Sequence, residues 1–412
     1  MRRLKKLAWS AADQGVSSIS NLLLSVLAAQ RATLDEFGAF AIAFAIYQFG
    51  LGASRAFIGE PALITAGRRS IREQPSAAGI MGASFAIGAV GTLVNLVAAA
   101  FAGSHATIFV VFGLAFPILM LADSSRYFEF AADRPRSALG LDLCWLSVQG
   151  AIIASFAVFG IFNIYSVSIS WVAGALALAV YFMAKRRATP TISEAKRWMS
   201  EHRQLSFRFF SEYLAISGVQ QSVILFAFAY GGLAASGALR GAQVIVGPLS
   251  LVTMGIAMVA LPALSRRSKD GQNAGLPRLS AAISFAALSM TAAYSVALML
   301  LPEQLGQQLL GESWQAAALV LPLVLIQLAL SNLSYGATAG LRAMEESALS
   351  LRLRLATSPL AVALIWIGAS QASLSGALIG AIAGQAVQMF AWWTAYLVVS
   401  RREGGGEVEA VA

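Results

Sequence analysis

Cysteine, histidine and charge are all scarce in this sequence. A single cysteine, Cys144, excludes a disulfide within one chain, and two distant histidines, His105 and His202, leave no His-rich zinc site. Charged residues make up only 12% of the 412, about half the usual share of a soluble chain, which excludes an ordinary soluble enzyme. The Gly-x-x-x-x-Gly-Lys-Ser/Thr phosphate loop is missing as well, so direct drive by ATP within this chain is not expected. No cofactor is expected. What the chain has instead is apolar length: it is 58% hydrophobic with a mean hydropathy of +0.71, in repeated runs of about twenty residues. Lipid offers backbone groups no partners, so such runs must be helices. The expected fold is all-α and integral to a membrane.

The segment from Met1 to Lys6 is basic and leads into a full-length span, which predicts a retained signal anchor rather than a cleaved leader. Twelve spans are predicted. Six lie at Trp9–Gln30, Phe37–Ile64, Ala77–Ala102, Thr107–Glu129, Ser137–Phe159 and Ile164–Ala184. Six more lie at Phe207–Tyr230, Ala238–Leu264, Leu279–Leu301, Trp314–Gly340, Leu351–Gly368 and Leu374–Ser400. When the connections are assigned to alternate sides, all but three of the 29 Lys and Arg fall on the side of the N-terminus. The exceptions are Arg31 and Arg240 on the far side and Arg55 inside the second span. The positive-inside rule then makes both termini cytoplasmic. The net charge of +9 is thereby topological, and no nucleic-acid partner is expected.

The longest basic connection divides the spans six and six. It predicts an N-terminal six-helix lobe over 1–184, a cytoplasmic basic linker over 185–205, a C-terminal six-helix lobe over 206–400 and a disordered cytoplasmic tail over 401–412. Short strings recur in the same order in both halves, among them Pro61-Ala62-Leu63 with Pro262-Ala263-Leu264, each followed by an arginine pair. Two pseudo-symmetric lobes follow, both facing the same way because six is even.

Charge at bilayer depth costs roughly 2.5 to 3.5 kcal/mol on insertion scales. Arg55 is the clearest case. Gln48, Gly52, Arg55 and Gly59 share a helical face by their 4, 3, 4 spacing, and that face turns away from lipid. Two readings stay open: a fixed cation for a phosphate-bearing substrate, or an internal salt bridge to Glu60 or Asp13, for which Glu60, five residues on and roughly 140° round the helix, is poorly placed, so that another helix must supply the partner. Asp13, Ser17, Ser20 and Asn21 stripe the first span; Tyr213, Ser217, Gln220 and Gln221 stripe the seventh; Ser236, Arg240, Gln243 and Gly247 stripe the outer end of the eighth. Together they imply a shared polar lumen. Asp13 also reads as a carboxylate favoured by a helix N-terminus. Asp123, Arg126 and Glu129, at i, i+3 spacing, predict a local ion-pair ladder or a substrate contact at the end of the fourth span.

The strings Arg55-Ala-Phe-Ile-Gly59-Glu60-Pro61, Arg126-Tyr127-Phe-Glu-Phe130-Ala-Ala-Asp-Arg134-Pro135 with Asp142 and Trp145 following, and Leu310-Gly311-Glu312-Ser313-Trp314 resemble the polysaccharide and lipid-linked oligosaccharide exporters of the multidrug/oligosaccharidyl-lipid/polysaccharide (MOP) superfamily. The resemblance implies a V-shaped, MATE-like pair of lobes in a bacterial plasma membrane. It implies that an undecaprenyl-pyrophosphate-linked sugar is flipped by alternating access, with glycosyltransferases or a polymerase as partners beside membrane lipids. Arg55, Gln48, Asn21, Gln220, Gln243 and Arg240 would then bind substrate, and Asp13, Glu60, Asp123, Arg126 and Glu129 would couple or gate. The rival within the superfamily is a multidrug or small-cation antiporter with Asp13 as its proton or sodium site. A membrane glycosyltransferase or polymerase would need a substantial external loop, whereas the longest here is Pro302 to Ser313.

Overall fold

The computed structural model describes residues 2–68, 76–269 and 275–409, and every regular element among them is a helix. The order is α1 (Arg2–Gln30), α2 (Leu34–Ser54), a π-helical turn (Arg55–Gly59), α3 (Glu60–Arg68), α4 (Ala77–Phe101), α5 (Ala106–Ala131), α6 (Pro135–Val158), α7 (Ile164–Arg186), α8 (Ile192–Lys269), α9 (Leu276–Met299), α10 (Glu303–Leu310), α11 (Ser313–Ala343) and α12 (Ser347–Glu409). Arg69 and Arg72, counted above among the basic residues, lie outside the described residues.

Nine helices among the described residues are long and apolar enough to cross a membrane. Two of them are double. α8 breaks at Gly232, whose φ of 71° is easy only for glycine, and α12 breaks at Ala372 and Ser373. With these broken helices counted as two arms each, and with the more polar α1 added, the twelve expected spans are accounted for. The second span is α2, the π-turn and α3 in one run.

Local chemistry sets the helix starts. Thr33 caps α2 in a capping box with Glu36, Asn163 caps α7 in the same way with Ser166, Ser76 accepts from the Gly79 amide at the start of α4, and Pro135 opens α6. The π-turn has a cause in Pro61. Proline has no N–H to return to the carbonyl four residues back, and the helix ahead of it widens so that the Glu60 amide bonds to Arg55 O. The chain departs from expectation at four places. α1 begins at Arg2 rather than Trp9; α8 begins at Ile192, so most of the linker expected at 185–205 is helical; and the connection after Pro302 contains α10. α12 continues through Glu409, over most of the segment expected to form a tail.

The chain divides into two compact units, one of Met1–Ser217 with Leu309–Ser313 and the other of Gly218–Gln308 with Trp314–Ala412. The first unit is built around an aromatic cluster. Phe40, Phe44 and Tyr47 of α2 meet Phe112 and Phe116 of α5 and Trp171 of α7, with Tyr47 and Trp171 edge to face at 4.9 Å. Close helix approach depends on glycine here: a side chain at Gly50 or Gly91 would enter the Phe116 ring, and one at Gly88 would meet the Pro117 backbone. In the second unit Leu264, Leu276, Leu341, Trp392 and Tyr396 form the core, and Tyr396 shares a 2.8 Å hydrogen bond with Ser280. The two arms of α12 fold back on each other, since a Cβ at Gly376, Gly380 or Gly384 would strike Gly368, Leu364 or Ala361 in turn.

Candidate functional site

Five charged side chains from four helices of the first unit converge. Asp13 comes from α1, Arg55 from the first position of the π-turn that continues α2, Asp123 and Arg126 from α5, and Asp142 from α6. Asp13, Asp123, Arg126 and Asp142 are each at most 5% exposed. Arg126 is the hub: its Nη2 donates to Asp13 Oδ2 at 2.6 Å, its Nε lies 2.7 Å from Asp142 Oδ1, and its Nη1 lies 3.6 Å from Asp123 Oδ1. Arg55 grips Asp123 with two donors, Nη2 to Oδ1 at 2.7 Å and Nε to Oδ2 at 3.1 Å. Ionised, the cluster holds two positive and three negative charges.

Hydroxyls and rings complete it. Arg126 Nη1 donates to Ser17 Oγ at 3.4 Å, and one turn further along α1 Ser20 Oγ donates to Gln149 Oε1 of α6 at 2.6 Å. The Arg55 guanidinium lies 5.6 Å from the centre of the Tyr127 ring. Beside these groups is a cavity of about 20 Å³ lined in part by Ser17, Asn21, Tyr47, Arg55, Asp142 and Trp145, roughly the space of one water. Two carboxylates there are under-satisfied: Asp13 Oδ1 and both Asp142 oxygens are buried without a hydrogen-bond partner among the described residues.

Of the residues singled out in the sequence, Asp13, Asn21, Arg55, Asp123 and Arg126 lie together here. Others do not. Arg55 pairs with neither Glu60 nor Asp13 but with Asp123, because Glu60 is exposed on the far side of the π-turn while Asp13 is held by Arg126. Gly52 and Gly59 make room for neighbouring helices, through the rings of Tyr213 of α8 and Tyr127 of α5. Asp13 is no helix-end carboxylate, since α1 starts at Arg2, about three turns earlier. The expected ladder stops at Arg126. Glu129, fully buried, turns instead to Arg186 of α7, which binds it through Nε at 2.8 Å and Nη2 at 2.6 Å, because Arg126 is already held toward α1 and α6. Gln48 is half-buried on α2 and does not line the cavity; Gln220, Gln243 and Arg240 belong to the second unit, where both glutamines are exposed.

Asp142 is the member that residue-by-residue reading left without a role. Its signal was present: Ala138, Asp142, Trp145 and Gln149 repeat at 4, 3, 4 and form the buried face of α6.

No protein-family model and no curated protein sequence matches the chain. Solved structures do. The chain is similar to an inward-facing multidrug resistance MATE family transporter of the MOP superfamily, at 12% identity and a TM-score of 0.72 over 96% of this chain and 98% of that one. It is similar to the outward-facing form of such a transporter at a TM-score of 0.58 and 12% identity, covering 96% and 94%. A MOP superfamily transporter from Pyrococcus furiosus, described as having a binding pocket of reverse polarity, matches at 0.58 and 14% identity, also over 96% and 94%. The fold is that of the MATE transporters. At these identities the likeness extends to the fold alone.

Proposed function

We propose that the chain is a membrane transporter working by alternating access, not an enzyme, and that the buried cluster of its first unit is where a proton enters the cycle. The charge count carries this reading: two guanidinia face three carboxylates, and Asp13 and Asp142 keep buried oxygens with no hydrogen-bond donor. One added positive charge balances the set. Protonating Asp142 weakens its hold on Arg126 and leaves that guanidinium to Asp13 and Asp123. The packing of α6 against α1 and α5 then has two states, which a gradient can bias. The neighbours named as multidrug transporters make an amphipathic organic cation the first cargo to examine.

A second reading is favoured by one observation: the Arg55 side chain keeps 33% exposure and borders the cavity with Asn21. A cargo phosphate could exchange with Asp123 for its two donors. This is the flippase reading, with a pyrophosphate-linked oligosaccharide as cargo, enzymes of polysaccharide synthesis as partners, and a bacterial plasma membrane with both chain ends cytoplasmic as its place.

Vesicles reconstituted with the purified chain test both. Under an imposed pH gradient, the first reading expects efflux of ethidium that follows the gradient and is lost in Asp142→Asn. Efflux that follows only a sodium gradient would overturn the proton assignment. Flipping of a fluorescent undecaprenyl-pyrophosphate sugar with no ethidium movement would replace the first reading by the second.

A further inference from the structure

A second cavity of the first unit is separate from the charge cluster. It measures about 650 Å³ and sits where the α5–α6 turn meets the end of α7 and the side of α1. Three cations line it, Arg134, Arg136 and Lys185, against one carboxylate, Asp133. None of the three forms an ion pair with a carboxylate among the described residues. Lys185 lies 5.3 Å from the Tyr181 ring and 3.3 Å from Ser137 Oγ, and Arg136 lies 5.8 Å from the Trp9 ring. The cavity shares no lining residue with the Arg55 cavity.

From the structure we infer that this cavity is a binding site for an anionic phospholipid of the surrounding membrane, with the headgroup phosphate against Arg136 and Lys185. Three observations carry the assignment. The cations stand together at the ends of α6 and α7, where both helices leave their apolar runs, the depth at which basic side chains meet phosphate. Trp9 and Tyr181, 39% and 49% exposed, flank them as aromatic side chains do at a membrane interface. Leu143 of α6 and Val180 of α7, the chain neighbours of the lining residues Cys144 and Tyr181, are exposed and offer apolar surface to acyl chains, which a free inorganic anion would not need. An anion is favoured over a zwitterion because three cations outnumber one carboxylate. Gly140 leaves the cavity open, with nothing within 4 Å of where a Cβ would stand.

The only cysteine of the sequence lines this cavity, so the native chain carries its own reporter. The test is the rate at which N-ethylmaleimide alkylates Cys144 in full-length protein, delipidated in detergent and then supplied with one lipid at a time. Cardiolipin or phosphatidylglycerol at ten times its dissociation constant should slow alkylation about tenfold by occupancy. Phosphatidylcholine and inorganic phosphate should not. Arg136→Gln with Lys185→Gln should abolish the protection, and Gly140→Leu, which fills the cavity without touching a charge, should lower alkylation with no lipid added. Equal protection by phosphatidylcholine, protection by inorganic phosphate, or protection that survives the double substitution each overturns the site. Stronger protection by undecaprenyl phosphate than by phosphatidylglycerol overturns the choice of occupant.

Discussion

Arg126 Nε stands 2.7 Å from Asp142 Oδ1 in ionic contact without the alignment of a hydrogen bond, while Nη2 of the same guanidinium donates to Asp13 at 2.6 Å. Asp142 is therefore the loosely held carboxylate of the cluster. Asp142→Asn removes the excess negative charge and keeps the shape, so folding should be retained, with the thermal midpoint in detergent equal to or above that of the parent. Proton-linked transport should fall at least tenfold in vesicles, and an unchanged pH dependence would show that the proton is carried elsewhere.

Arg126 is bound more firmly. Replacing it by Met strands the buried carboxylates of Asp13 and Asp142 without their cation, a change of the kind that costs about 3 to 5 kcal/mol. Arg126→Met should give little folded protein by size-exclusion chromatography, and adding Asp13→Asn and Asp142→Asn should recover most of it. A single variant as stable as the parent would mean that water reaches these groups freely.

Glu129 and Arg186 tie α5 to α7 in the same manner, with the carboxylate fully buried. Arg186→Gln alone should destabilise strongly, whereas Glu129→Gln with Arg186→Gln should be much milder. A double-mutant cycle on the thermal midpoint should give a coupling of about 1 to 3 kcal/mol; additive effects would place the pair in solvent.

The architecture was legible because lipid leaves little choice. Apolar runs of span length must be helices, and the polar stripes on α1 and α2 must face protein or water. Partner choice was not legible. Asp13 and Arg126 are 113 positions apart and Arg55 and Asp123 are 68 apart, and a stripe says which way a helix faces without saying which helix it meets. Asp142 shows the same limit from the other side, since its 4, 3, 4 face with Trp145 and Gln149 was readable as buried while its contact with Arg126 depended on two other helices. The π-turn was hidden for a local reason. Pro61 marks a lost backbone bond, but whether the helix ends, kinks or widens depends on the neighbours it must pack against.

Glycines of the broken α12 give the last prediction, and it separates packing from propensity. A Cβ at Gly376 or Gly380 meets the carbonyl of Gly368 or Leu364, and a backbone atom cannot swing aside as a side chain can. Gly380→Ala should therefore cost about 1 to 3 kcal/mol through overpacking, read as a lower thermal midpoint. Gly150 of α6, by contrast, has nothing within 4 Å of its added Cβ. Gly150→Ala should raise the midpoint, by the roughly 0.5 to 1 kcal/mol that alanine gains over glycine inside a helix. If both substitutions moved stability the same way, the arms of α12 would not be in the close contact that these glycines permit.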